Sequence, residues 1–293
     1  IFIGGREDSA NLVKVRDLVL FVLVIKDPAR TIIDHFGNLY RTNIRLKEIE
    51  KLGFDLERIF NPSPQTRETK SSHAAPDFQT IEMREVQFTY PQRDGHEEKS
   101  FSLGPISLTI RRGEILFIVG GNGSGKTTLI KLLCGLYTPS QGSVLLDAKP
   151  MLSDETSAYK NLFHVIFSDF YLFEQIHLKD FQQYSLRASE MLKKFELENR
   201  ISISESGYIS DVQLSSGQRK RIAMIVAKLE DKPILILDEW AADQDPHFKR
   251  LFYEQMLPDF RAQGKTVIII SHDDRYFHVA DRVLTLEDGM VKK

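Results

Sequence analysis

The residues with the clearest chemical capacity lie at Gly120-Gly121-Asn122-Gly123-Ser124-Gly125-Lys126-Thr127, which fits the spacing G-x-x-x-x-G-K-[ST]. The string follows the apolar run Ile115–Val119 and precedes a predicted helix, Thr128–Cys134. Glycines let such a loop wrap closely, so that backbone N–H groups point inward at a helix start whose dipole favours anions. Lys126 is then placed to reach the β- and γ-phosphates of a nucleotide, and the Thr127 hydroxyl to bind Mg²⁺. A glycine-rich turn with a chance lysine does not account for strand, loop and helix occurring together. Nucleotide contacts are therefore expected from Gly120 through Thr127 and from Thr128. A second acidic site follows in Ile234-Leu235-Ile236-Leu237-Asp238-Glu239. An acid closing a buried strand sits where an α/β sheet gathers ligand groups. Asp238 is the expected metal residue, and Glu239, beside it, is placed to orient and deprotonate an attacking water.

These side chains need a sheet to hold them. Ile115–Val119, Ile234–Leu237 and Val267–Ile270 are unbroken β-branched or leucine-rich runs, as in a largely parallel sheet covered on both faces. The earlier stretches Ile81–Tyr90 and Ile106–Ile110 alternate more, as in an antiparallel sheet beside that core. The expected fold class is α/β, a P-loop nucleoside triphosphatase with an added antiparallel β part. At 293 residues, 42% hydrophobic and 27% charged, the chain has the material for a folded core. Lys and Arg number 39 against 41 Asp and Glu, a net charge of −2, which speaks against a basic nucleic-acid-binding body. The single cysteine, Cys134, forms no internal disulfide and fits a reducing compartment.

Three further segments complete a pattern. Leu214-Ser215-Ser216-Gly217-Gln218 precedes a helical stretch predicted from Arg219 to Leu229, Ala242-Asp243-Gln244-Asp245 follows the acidic pair, and Ser271-His272-Asp273-Asp274 follows the run Val267–Ile270. Upstream stands Val86-Gln87-Phe88-Thr89-Tyr90. In this order the segments resemble the ABC ATPase set of A-loop, Walker A, signature, Walker B, D-loop and switch histidine, over about residues 78–293. The resemblance implies a mixed β core with an antiparallel β subdomain and a helical subdomain. It also implies that Tyr90 stacks on adenine and that His272 contacts the γ-phosphate. Ser215, Ser216, Gly217 and Gln218 then reach the nucleotide of a second copy, so that two ATP molecules lie at a head-to-tail dimer interface. With Lys126, Glu239 and His272 as the catalytic group, the expected reaction is Mg²⁺-dependent ATP hydrolysis.

The string Asp238-Glu239-Trp240-Ala241-Ala242-Asp243-Gln244-Asp245 differs from the Ala-Thr-Ser-Ala-Leu-Asp that ABC exporters at large carry after the glutamate. It is similar to the cyclic-peptide exporter branch, with its microcin, syringomycin-type and pyoverdine-precursor transporters. Two positions depart from the wider family. Ser168 stands where most members carry the Q-loop glutamine, leaving Ser168 or Asp169 to serve the metal, and Ser216 replaces a signature glycine. The cluster Phe167, Phe170, Tyr171 and Phe173 reads equally as core or as a groove receiving a membrane-domain helix.

The expected organisation is residues 1–60 as the end of a transmembrane domain, 61–76 as a linker and 77–293 as the ATP-binding domain. The apolar run Leu18–Ile25 is too short to span a bilayer alone, since a span takes about 20 residues. A helix continuing to Leu52, about 50 Å long at 1.5 Å per residue, would place basic residues on the cytoplasmic side. The chain begins at Ile1 without a signal-peptide pattern and reads as a piece of a longer protein. The resulting expectation is the ATPase of an exporter in the bacterial inner membrane, its ATPase domain in the cytoplasm. Its partners are a second copy, its own membrane domain and a peptide-like cargo, with no nucleic acid. A soluble ABC ATPase working on nucleic acid or ribosomes is the alternative. The stretch from Thr127 to Ser215 is too short for the coiled coils of DNA-maintenance members, and ribosomal members carry two ATPase domains. A binding module without turnover is the third class, opposed by the presence of both Glu239 and His272.

Overall fold

The computed structural model describes residues 77–90, 101–150, 156–178, 180–211 and 213–292. The expected helix from Leu18 to Leu52 and the linker at 61–76 lie outside them. No helix among the described residues is long and apolar enough to cross a membrane.

Two sheets are present among the described residues. A four-stranded antiparallel sheet has the order β2-β1-β4-β5, formed by β1 (Thr80–Thr89), β2 (Ser102–Arg111), β4 (Gln141–Leu146) and β5 (Lys149–Pro150). A six-stranded sheet has the order β10-β9-β3-β8-β7-β6. Its strands are β3 (Ile115–Val119), β6 (Phe163–Ile166), β7 (Ile234–Asp238), β8 (Thr266–Ile270), β9 (Arg282–Glu287) and β10 (Met290–Lys292). All its neighbours pair in parallel except β9 with β10.

The unbroken apolar runs are explained by burial on both faces. In β3, Leu116 and Ile118 enter one core while Ile115 and Phe117 enter the other. In β7 the same division sends Ile234 and Ile236 one way and Leu235 and Leu237 the other, as a period of two requires. The first core lies under the antiparallel sheet and α1 (Lys126–Leu133). The second lies under a helical layer: α3 (Ser185–Lys194), α4 (Ser216–Glu230), α5 (Pro246–Leu251) and α6 (Leu257–Ala262). A π-helical turn, Phe252–Met256, joins α5 to α6, and a short α2 (Thr156–Lys160) precedes β6.

Two helix starts differ from expectation. Helix α1 begins at Lys126, two residues before the predicted Thr128, because the positive φ of Gly125 turns the loop directly into it. Helix α4 begins at Ser216 rather than Arg219. There the Ser215 hydroxyl accepts from the Gln218 N–H, and the Gln218 amide oxygen accepts from the Ser215 N–H at 3.1 Å, a reciprocal cap that closes the helix three residues early.

Candidate nucleotide site

The loop Gly120–Gly125 is shaped by contacts that leave no room for side chains. Gly120 has φ +150°, and a Cβ there would lie 2.1 Å from the carbonyl oxygen of Leu286. Gly125 has φ +99°, and a Cβ would collide with Leu103 and Phe101. From the far side, the N–H of Gly289, in the turn between β9 and β10, donates to the Ser124 carbonyl at 3.1 Å. The loop is thus clamped between the last hairpin and β2. Among the described residues, the N–H groups of Gly123, Gly125, Lys126 and Thr127 find no protein acceptor, and the buried Ser124 hydroxyl has no partner. Unpaired donors gathered at a helix start are suited to an anion. The buried Lys126 ammonium donates to the carbonyls of Gly120 and Gly121 at 2.8 and 2.9 Å.

Asp238 ends β7 and is 2% exposed. It accepts from the Thr127 hydroxyl at 3.0 Å. Burial pushes its carboxyl above the ordinary aspartate range, partly offset by the Thr127 bond. Thr127 and Asp238 form a pair of hard oxygen donors at the mouth of the loop, the donor type that Mg²⁺ takes. Ser168 lines the same cavity.

Glu239 follows in a left-handed turn, φ 52°, ψ 32°. Its carboxylate meets His272 Nε2 at 3.2 Å. Two cavities share it. One, about 490 Å³, runs from Tyr90 and Phe101 past Lys126 and Thr127 to Asp238. The other, about 320 Å³, contains His272, Ser271 and Lys249. Ser271 is fixed by Tyr253, whose hydroxyl lies 3.0 Å from its Oγ, and Ser271 in turn accepts from the Asp273 N–H.

Tyr90 borders the larger cavity with its hydroxyl 3.0 Å from Thr128 Oγ1, its ring meeting Phe88 and Tyr137 edge to face. Phe101 lines the cavity beside it and carried no sequence signal beyond being aromatic. The four-residue aromatic cluster divides. Phe167 and Phe170 pack on the two cores, whereas Tyr171 and Phe173 are 74% and 63% exposed along a groove of about 340 Å³.

The structure does not bring Ser215–Gln218 to the cavity of the same chain. They pack instead against the turn after Glu239, with Gly217 so close that a Cβ would lie 2.6 Å from the Asp243 carbonyl oxygen. A buried lysine that sequence reasoning passed over, Lys220, lies at the centre of this contact and donates to the Glu239 carbonyl at 2.8 Å.

A parallel sheet bearing a phosphate loop at one strand end and an Asp-Glu pair at another defines a P-loop nucleoside triphosphatase. Comparison with known proteins narrows the class. A sequence profile of the family described as ABC transporter matches residues 103–242. The chain is 41% identical over 279 residues to the ATP-binding protein SyrD of Pseudomonas syringae pv. syringae, covering 93% of this chain and 49% of that protein. It is 32% identical to the lipoprotein-releasing system ATP-binding protein LolD of Buchnera aphidicola subsp. Schizaphis graminum, covering 67% of this chain and 90% of LolD. Its fold matches the dimeric structure of a bacterial ABC transporter cassette with a TM-score of 0.58 and 26% identity, covering 73% of this chain and 97% of that one. The chain belongs to the ABC transporter family and carries its ATP-binding, ATP-hydrolysing domain. It spans about half the length of SyrD.

Proposed function

We propose that this chain hydrolyses ATP to drive export of a peptide-like substrate across the bacterial inner membrane. In this reading residues 77–293 are the cytoplasmic ATPase domain, 61–76 a linker and 1–60 the end of a transmembrane domain. The observation that carries the hydrolytic part is the alignment of Lys126, Thr127, Asp238, Glu239 and His272 along two cavities that meet at Glu239. Lys126 and the loop amides hold the β- and γ-phosphates and stabilise charge on the transferring phosphoryl group. Thr127 and Asp238 would hold Mg²⁺, which would supply positive charge against the phosphates. Glu239 accepts a proton from the attacking water. In the nucleotide-free chain His272 Nε2 lies 3.2 Å from the Glu239 carboxylate and orients it, and with nucleotide bound that N–H turns to donate towards the γ-phosphate. Tyr90 stacks on adenine, with Phe101 as a second aromatic wall.

The export part rests on the likeness to SyrD and on that protein's greater length. The exposed pair Tyr171 and Phe173 gives the membrane domain an apolar groove to press on.

The exposed signature loop Ser215–Gln218 cannot serve the phosphates of its own chain and serves those of a second copy, as the dimeric state of the related cassette supports. Glu239→Gln in ATP and Mg²⁺ should therefore accumulate a dimer by size-exclusion chromatography, and Ser215→Arg in that background should prevent it. A Glu239→Gln chain that binds ATP yet stays monomeric would remove the shared-site reading.

A further inference from the structure

The signature helix and the turn after Glu239 are joined within one chain by a polar network centred on Lys220. Its side chain is 3% exposed, and its ammonium pairs with Asp243 Oδ2 at 2.8 Å. The same oxygen accepts from the Ser216 hydroxyl at 2.6 Å. The ammonium's other acceptor is the Glu239 carbonyl. Trp240, fully buried, donates its indole N–H to the Lys220 carbonyl at 2.7 Å, fixing the helix to the turn from the other side. Gln244 adds a third tie, donating to the Gly217 carbonyl at 3.0 Å while accepting from Arg221. Ser216 and Asp243 fall at two places where the sequence departs from the wider family pattern, and here they are bonded to each other.

The site of the Glu239 bond matters. Glu239 is a non-glycine residue in the left-handed region, a conformation that persists only when its surroundings hold it. A buried ammonium bonded to its carbonyl is such a hold, because a bond to a charged donor is strong where water is excluded. We propose that Lys220 is a positioning residue. Held by Asp243 and Ser216, it fixes the backbone turn that aims the Glu239 carboxylate, so the signature loop and the hydrolytic glutamate move as one unit. A change at the signature loop is thereby felt at the residue that activates water. This rests on Glu239 being the general base.

The test uses steady-state phosphate release and ATP titration on the full chain. Lys220→Met keeps the stem and removes the donor. It should lower kcat about tenfold, the worth of one hydrogen bond to a charged group, while KM for ATP stays within about twofold. Lys220→Arg keeps a charged donor on a stem of similar length and should retain most of the kcat that Lys220→Met loses. Asp243→Asn alters the half-exposed side of the network where folding is tolerant, and should lower kcat severalfold at constant KM. Wild-type kcat in this variant overturns the proposal even if Lys220→Met fails to fold. Wild-type kcat in a folded Lys220→Met, with turnover lost in Glu239→Gln, overturns the positioning role and leaves the base reading intact. Turnover retained in Glu239→Gln overturns both.

Discussion

Asp238→Asn should make the nucleotide-free chain more stable and its nucleotide complex less so. The Asp238 carboxylate is buried, its hydrogen bond is from the Thr127 hydroxyl, and the charge of Lys126 lies farther off. Asparagine keeps one acceptor oxygen for that donor and removes the desolvated charge, a relief of about 1–2 kcal/mol. For a domain of this size each kcal/mol moves the melting temperature by about 2–4 °C, so the free variant should melt about 2–8 °C higher. The sign with pH follows from the raised pKa of Asp238 in the folded state. The burial penalty is absent while the group is protonated in both states and fully present once pH exceeds the raised value. The gap between variant and wild type should therefore close as pH falls towards 4. Saturating ATP and Mg²⁺, at a hundred times the dissociation constant, should stabilise the wild type by about 2.7 kcal/mol, and the variant should lose most of that gain. Thermal unfolding followed by circular dichroism, with and without nucleotide, reads both effects. A variant no more stable than wild type when free would refute the buried-charge argument. An unreduced nucleotide shift would refute the metal assignment.

Gly120→Ala should cost about 3 kcal/mol or more, since its Cβ meets the Leu286 carbonyl at a positive φ, and should weaken ATP binding in the same titration. Tyr90→Phe removes one hydrogen bond to Thr128 and should leave ATP affinity within about threefold, whereas Tyr90→Ala, losing the ring, should weaken it about tenfold. Lys228 sits over the Phe260 ring, 4.1 Å from its centre, and burial, aided by Lys194, pushes its amine down to about 8. Unfolding restores its usual affinity for protons, so chain stability should rise between about pH 8 and pH 10.5. Lys228→Met should then stabilise the chain at pH 7 and lose that advantage by pH 10.5, as denaturant melts at the two pH values would show.

The parts legible in the sequence are those whose causes are local. A glycine loop between an apolar strand and a helix, and an acidic pair closing an apolar run, each hold their information within about ten residues. Residues that border the cavity through tertiary placement carry no such signal. Phe101 reaches the phosphate loop only because β2 runs beneath Gly125. Lys220 reads as one cation among three in Arg219-Lys220-Arg221, and only the packing of α4 against the turn after β7 buries it. The start of α4 lies ahead of Arg219 because Gln218, which looks like a ligand residue in the signature string, uses its side chain to cap Ser215. Tyr171 and Phe173 belong to the same apolar string as Phe167 and Phe170, and no spacing rule separates a groove wall from a core residue there.

The strand order bears on how the chain is made. β3, which leads into the phosphate loop, lies between β8 and β9. Its neighbours leave the ribosome roughly 150 residues after it, a wait of roughly 8–30 s at 5–20 residues per second. Throughout that interval Ile115-Leu116-Phe117-Ile118-Val119 has finished emerging but has no strand on either side to pair with. Binding of a chaperone to the nascent chain should therefore peak between the synthesis of β3 and that of β8. The phosphate loop, which needs Leu286 and Gly289 behind it, takes its final shape only once β9 and the turn after it have been made.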